Sequence, residues 1–136
     1  MSLSNASEND VLEMFLKGVD PSWRSGATQY AALVTGAADE AAPIALECTY
    51  TGYSRVALTK ATAWTDNGDN FTNAAQIQWG KRTDAGATQT ATNVVIVDTA
   101  SGAINLGVIC ALSANLDISQ NIRPQVDAGD LTVTAT

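Results

Sequence analysis

The sequence contains no histidine, which removes the commonest general base, the commonest metal ligand and every histidine-based catalytic triad. Its two cysteines are too few for a zinc site without histidine. Fourteen carboxylates could still supply an acid–base pair, but their spacing selects no particular pair. We therefore expect a protein that is not an enzyme and has no cofactor, metal or small-molecule substrate.

Charged residues are scarce as well, at 15% of the chain, and the net charge is −7. The seven Lys and Arg residues are scattered and form no basic patch for a phosphate backbone. No apolar run reaches the roughly 18 residues needed to span a membrane, and residues 1–19 carry acids where a signal peptide has a basic start. We expect no nucleic-acid partner, no membrane partner and no export. So few charges suit a surface covered by other protein, or a small β-domain with a Thr-rich surface.

The two cysteines, Cys48 and Cys110, form no close pair in the sequence. A disulfide between them is possible, but the spacing favours two buried free thiols. This interpretation indicates synthesis in a reducing compartment.

Residues 1–19 contain the one convincing amphipathic helix. Asn5 can cap it together with Glu8, and Gly18 stands where a helix stop is expected. The apolar positions follow helical spacing: Val11, Leu12, Phe15, Leu16 and Val19. A helix of about 13 residues is marginal in isolation, so this stripe must dock either on its own body or on a partner.

The rest of the chain has the pattern of strands and turns. Residues 20–28 are predicted to be a linker, with Trp23 seating it against the body. Strands are predicted at 29–35, 48–59, 71–80, 90–98, 103–116 (one strand or two with a bend) and 131–135. Residues 66–70 are a strong turn signal and lack the residue order and distal Glu of a calcium loop. The pattern predicts one all-β domain over 1–136. It would be a jelly-roll-like sandwich of about seven or eight short strands at 29–136, with one N-terminal helix.

Two further sets of residues admit more than one interpretation. Five aromatic residues could form a sugar-binding platform, but core and interface anchors are the preferred interpretation: Trp23, Trp64, Trp79, Tyr50 and Tyr53. Arg55 is predicted to lie in a strand, where it would pair with a carboxylate or contact a neighbouring subunit.

Four segments together resemble a family of small tailed-phage structural proteins. They are the opening SLSNASEN with its capped helix, the strand YSRVALT at 53–59, the segment 64–71 and the closing AGDLTV at 128–133. The resemblance covers nearly the whole chain. Some members are labelled tail-fibre-like and others resemble head cement proteins. In size and layout this chain is most similar to the jelly-roll cement protein of a Bordetella phage head.

The resemblance implies a cement or decoration protein on the outer surface of the head, made in the bacterial cytoplasm. Its partners would be the major capsid protein and itself, as a dimer or trimer. The alternatives are a tail, fibre or baseplate component and, in a different class, a carbohydrate-binding receptor module. We expect the contact residues among Val11, Leu12, Phe15, Leu16, Trp23 and Arg55.

Overall fold

The computed structural model describes residues 2–36, 39–104 and 106–134. In these ranges the elements are β1 (Ser2–Leu3), α1 (Asn5–Lys17), α2 (Ser22–Ser25), β2 (Thr28–Thr35), β3 (Val56–Thr59), β4 (Trp64–Asp66), β5 (Asn70–Asn73), β6 (Ile77–Gln78), β7 (Gln89–Val97), β8 (Val108–Ile118), β9 (Gln125–Val126) and β10 (Thr132–Thr134). No helix in these ranges is long and apolar enough to span a membrane.

The strands form one large sheet and two small ones, and all strand pairs are antiparallel. The large sheet has the order β1-β8-β7-β2-β3, and the small sheets have the orders β10-β5-β4 and β6-β9. Strand β7 is central because its β-branched run pairs on both sides, with Val94 opposite Leu33 and Cys110. The large sheet is therefore the rigid platform of the molecule.

Both faces of the large sheet are buried. One face packs against the small sheets, with Leu33 and Val94 meeting Ile77, Trp79 and Leu131. Trp79 is 1% exposed and donates its indole N–H to the Ala31 carbonyl at 3.0 Å.

The opposite face of the large sheet forms a second core. There Val34 and Val95 pack with Ile44 from the 39–47 segment. The prediction of an all-β sandwich with one N-terminal helix is confirmed.

The predicted strand over 71–80 is wrong, because two short strands of different sheets occupy it. Asn73 is buried and donates its side-chain amide to the carbonyls of Ala75 and Asp127, and its side-chain oxygen accepts the Leu131 N–H. These bonds fix a bend between β5 and β6. The residue pattern still places Ile77 and Trp79 correctly in the core.

Other boundaries also differ from the prediction. Residues 48–55 are irregular, with one turn at 51–52, rather than strand. The 103–116 strand begins only at Val108, and the linker contains α2. The strands absent from the prediction are only two or three residues long, too short to show a period: β1, β4 and β9. The turn at 66–70 joins β4 to β5 as a hairpin, as predicted. The last predicted strand is seen as Thr132–Thr134, and Ala135 lies outside the described residues.

Candidate functional site: an exposed helix face beside an apolar groove

Helix α1 is fixed to the large sheet at its N-terminal end. Ser4 is the N-cap, and its hydroxyl accepts the Ser7 N–H. The buried hydroxyls of Ser4 and Ser7 also accept the Gly107 N–H at 3.0 and 2.9 Å, and the Ser4 N–H donates to the Gly107 carbonyl. The predicted cap, Asn5, is wrong by one residue, because these contacts place Ser4 at the start of the helix.

The helix ends as predicted at Gly18, whose φ of 68° is left-handed. Within the helix only Ser7 is buried. The apolar stripe is instead open to solvent, with exposures of 37% at Val11, 57% at Leu12, 85% at Phe15, 72% at Leu16 and 48% at Val19. The two cores of the sheets contain none of these residues.

Trp23 seats the linker against the protein, as predicted. Its indole N–H donates to the Asp10 carboxylate at 2.9 Å, and its carbonyl accepts a hydrogen bond from the Lys60 ammonium. The half-buried Trp23 therefore ties α2 to both α1 and the end of β3. Its hydrogen bonds are internal and support the helix, and Trp23 also borders a cavity beside α1.

Arg55 lies just before β3, and its side chain is only 3% exposed. Its guanidinium forms two 2.8 Å bonds to the Glu47 carboxylate and donates to the carbonyls of Thr99 and Gly102. Of the two predicted roles the structure shows the carboxylate pair. Arg55 is not available for a surface contact, because its guanidinium N–H groups donate to acceptors inside the protein.

Two neighbouring apolar cavities, of which the first borders α1, share Gln29, Ile96 and Val108 in their walls. The first, of about 140 Å³, lies between the helix and the large sheet and is bordered by Val11 and Asp98. The second, of about 170 Å³, lies between the large sheet and the β10-β5-β4 sheet. We call the pair the end groove. Val11 belongs to both the groove and the exposed stripe, so the two surfaces are continuous.

The aromatic residues do not form a shared exposed platform in the described part of the chain. Trp79 and Tyr50 are buried, and the Tyr53 hydroxyl is bonded to Glu47 at 2.7 Å. The described residues also contain no group of three or more acidic or cysteine side chains that could hold a metal ion.

The cysteines are free and buried, as predicted. Burial raises the pKa of Cys48 to about 11, with help from the neighbouring Glu47 charge, and burial raises that of Cys110 to about 12. Both thiols are therefore protonated at neutral pH and are poor nucleophiles.

This burial predicts a pH dependence of stability. The folded pKa values of Cys48 and Cys110 lie above the unfolded value of about 8.5, so their contribution is complete below that pH and is lost as the pH rises through 11 and 12. We expect the urea midpoint to fall between pH 8 and pH 11, and to fall less in a Cys48→Ala, Cys110→Ala variant. An identical fall in the variant would contradict the assignment to the thiols.

The fold is an antiparallel sandwich that holds an apolar helix face out to solvent, and exposed apolar faces of this kind are typical of interaction surfaces. The chain belongs to the family described as podophage GP4 fiber I protein gp80, whose model matches residues 2–134. This is a family of phage structural proteins and not a class of enzymes. It supports the phage structural role expected from the sequence and indicates a protein of the virion. No curated protein matches the chain.

Proposed function

We propose that the protein is a structural component of a phage fibre, held in the virion by protein–protein contacts alone. The observation that carries this proposal is the family match over residues 2–134, since that family is described by a fibre protein. The fibre role, an alternative in the sequence interpretation, is favoured over head cement by this description.

The exposed face of α1 supports an assembly role. Burying one large apolar side chain contributes roughly 1.5–3 kcal/mol, and Leu12, Phe15 and Leu16 are each more than half exposed. The Ser4 and Ser7 bonds to Gly107 fix the helix to the sheet before any partner arrives. A partner therefore gains this burial without first ordering the helix.

Head cement is the second candidate. It is favoured by the layout of a sandwich with one N-terminal helix, which is also the layout of the jelly-roll cement protein that the sequence resembles. In that role the partner would be the major capsid protein, on the outer surface of the head.

Location and copy number in the virion separate these two functions. We expect immunogold labelling of purified virions to mark the tail region, and quantitative mass spectrometry to find at most a few dozen copies per particle. Labelling over the whole head with hundreds of copies would support cement instead. Absence of the protein from purified virions would refute both functions.

The helix face can be tested with a matched pair of variants. We expect Phe15→Ser with Leu16→Ser to abolish incorporation into virions while the free energy of unfolding changes by less than about 0.5 kcal/mol, because exposed side chains contribute little to folding. Ile122→Ser is the control, since Ile122 is a 44% exposed apolar residue in the 121–124 loop rather than on the helix. Incorporation would be measured by mass spectrometry of particles from a complemented deletion phage. Equal incorporation of both variants would contradict a role for this face.

A further inference from the structure

The tip of the hairpin that joins β4 to β5 contains the step Asn67-Gly68 in an exposed turn. The Asn67 N–H donates to the Asn70 carbonyl at 2.9 Å, and this bond encloses two central residues, Gly68 and Asp69. Gly68 has a φ of 96°, a backbone conformation that glycine adopts freely and that strains other residues. The turn therefore requires a glycine directly after Asn67, and this is the one Asn-Gly step in the sequence.

An asparagine that precedes a glycine can react with its own main chain. Because glycine has no Cβ to shield its nitrogen, the Gly68 nitrogen can attack the Asn67 Cγ atom once its N–H proton is removed. The new N–C bond closes a five-membered succinimide, the bond from Cγ to the side-chain Nδ2 breaks, and that nitrogen leaves as ammonia. Water then opens the ring at either carbonyl and leaves aspartate or isoaspartate. One water is consumed and one ammonia is released, with no oxidant or reductant.

The folded hairpin opposes this ring closure with two sets of hydrogen bonds, although the tip is open to water. The Gly68 N–H donates to the Asp66 Oδ1 atom at 2.8 Å. The Asn67 side-chain amide donates across the hairpin to the Asn70 Oδ1 atom at 2.9 Å and to the Thr72 Oγ1 atom at 3.3 Å. The first bond holds the proton of the attacking nitrogen and the second set holds the leaving nitrogen, so both must break before the ring forms.

Asp66 is the stronger of these two restraints. Its acceptor is a carboxylate, and hydrogen bonds to charged groups contribute more than bonds between neutral groups. The carboxylate also opposes removal of the Gly68 N–H proton, because the resulting anion would lie beside a negative charge. The bonds of the Asn67 amide join neutral groups, and one of them is 3.3 Å long.

We propose that Asn67 is a self-modification site, at which the side-chain amide converts slowly to aspartate and isoaspartate, and that the Asp66 carboxylate limits the rate by holding the Gly68 N–H. Asn121 is the internal comparison. It is equally exposed in a loop and has a left-handed φ of 68°, but it is followed by Ile122, whose branched side chain shields the nitrogen. The reaction needs no partner, so its outcome does not depend on the fibre role.

The modification changes the hairpin at its tip. Either product adds a negative charge beside Asp66 and Asp69, on a chain whose net charge is already −7. Isoaspartate also places the Cβ atom of residue 67 in the main chain, which disturbs the bond from the Asn67 N–H to the Asn70 carbonyl. Phe71 pairs with Asp66 and borders the end groove, so the change reaches one wall of the groove. Further from the tip, β5 stays paired with β10.

Peptide mapping of the purified full-length protein tests the site. The protein is incubated at mildly alkaline pH, and mass spectrometry of its digest measures amide-to-acid conversion at each asparagine. Labelling with isoaspartate methyltransferase separates isoaspartate from aspartate. We expect conversion at Asn67 and none at Asn121 over the same time. In urea-unfolded protein Asn67 should convert at least about tenfold faster, because unfolding breaks the bond to the Asp66 carboxylate.

Asp66→Ala tests the restraint directly. In the folded protein we expect it to raise the Asn67 rate about tenfold, and in urea to leave the rate unchanged, because the Gly68 bond exists only in the fold. Asp69→Ala is the matched control, since it removes the same charge from the same turn and the Asp69 carboxylate accepts from the Asn70 side chain. Its rate should equal that of the wild type.

Asp66→Ser covers the case in which Asp66→Ala loosens the whole hairpin. Serine keeps an oxygen that accepts the N–H two residues on, so its rate should lie between those of the wild type and Asp66→Ala. Equal Asn67 rates in folded and unfolded wild type, or conversion of Asn121 as fast as Asn67, would overturn the modification site. Equal acceleration by Asp66→Ala and Asp69→Ala, or an effect of Asp66→Ala that persists in urea, would overturn the role of Asp66.

Discussion

Replacing Arg55 with alanine is expected to lower the free energy of unfolding by about 3–5 kcal/mol, the usual cost of removing one partner from a buried ion pair. The guanidinium connects Glu47 to the carbonyls of Thr99 and Gly102, and its side chain is 3% exposed. Without it the largely buried Glu47 carboxylate loses its cation and keeps the Tyr53 hydroxyl as a donor, while the carbonyls of Thr99 and Gly102 lose the guanidinium donors. Urea unfolding at pH 7, followed by tryptophan fluorescence, measures the loss.

Arg24→Ala is the matched control. Arg24 pairs with Asp20 four residues earlier, and both side chains are more than half exposed. Its removal is expected to cost less than about 0.5 kcal/mol, because water replaces the partner. Similar losses in the two variants would show that the Arg55 network contributes no more than a surface pair.

Adding Glu47→Gln completes a double-mutant cycle. The two changes should be strongly non-additive, because each removes the same pair. If the two losses in free energy of unfolding are additive, the contribution of Arg55 comes from its bonds to the carbonyls of Thr99 and Gly102 rather than from its pair with Glu47.

The Arg55 network also shows what the sequence could not specify. The alternation of residues 53–59 identified Val56 and Leu58 as core-facing, and both pack against the core. The same pattern left open whether Arg55 paired with an acid or faced a subunit. The answer depends on Glu47, Thr99 and Gly102, which tertiary folding alone brings to one place.

Helix α1 was predictable because its signals are local. The 3.6-residue spacing and Gly18 lie within a single stretch of chain, and both identify the helix that the structure shows. Its cap was misassigned because Ser4 and Asn5 are both good capping residues. The choice between them is made by Gly107, about a hundred residues away, whose N–H is bonded to both serine hydroxyls.

The end groove left no signal in the sequence. Its walls come from separate strands, with Gln29, Ile96 and Val108 in β2, β7 and β8. In the sequence, Asp98 is an ordinary acid at the end of a strand. The structure shows that its Oδ1 atom is buried and has no hydrogen-bond partner among the described residues. The exposed face of α1 was therefore predictable from the periodicity of the sequence. The end groove was not, because it depends on pairing between strands that are far apart in the chain.

Replacing Gly107 with alanine is expected to cost about 3–5 kcal/mol and to release α1 from the sheet. The added Cβ would lie 2.8 Å from the Val95 Cγ1 atom, closer than real carbon contacts allow. Overpacking of this kind costs about 1–3 kcal/mol. Moving the Gly107 backbone also disrupts its bonds to Ser4 and Ser7, each contributing about 1 kcal/mol. Hydrogen exchange should show fast exchange throughout α1 while β7 stays protected.

Gly26→Ala separates this clash from the general effect of adding a methyl group. Its Cβ would meet the nearest atoms, in Lys60 and Thr28, at an ordinary 3.8 Å, and its φ of −73° suits any residue. Its stability should change by less than about 0.5 kcal/mol, or rise slightly, because the unfolded chain loses freedom. If Gly107→Ala leaves α1 as protected as Gly26→Ala does, the serine–glycine contact is not what holds the helix. If α1 is released while incorporation into virions persists, the helix face does not need its fixed position to assemble.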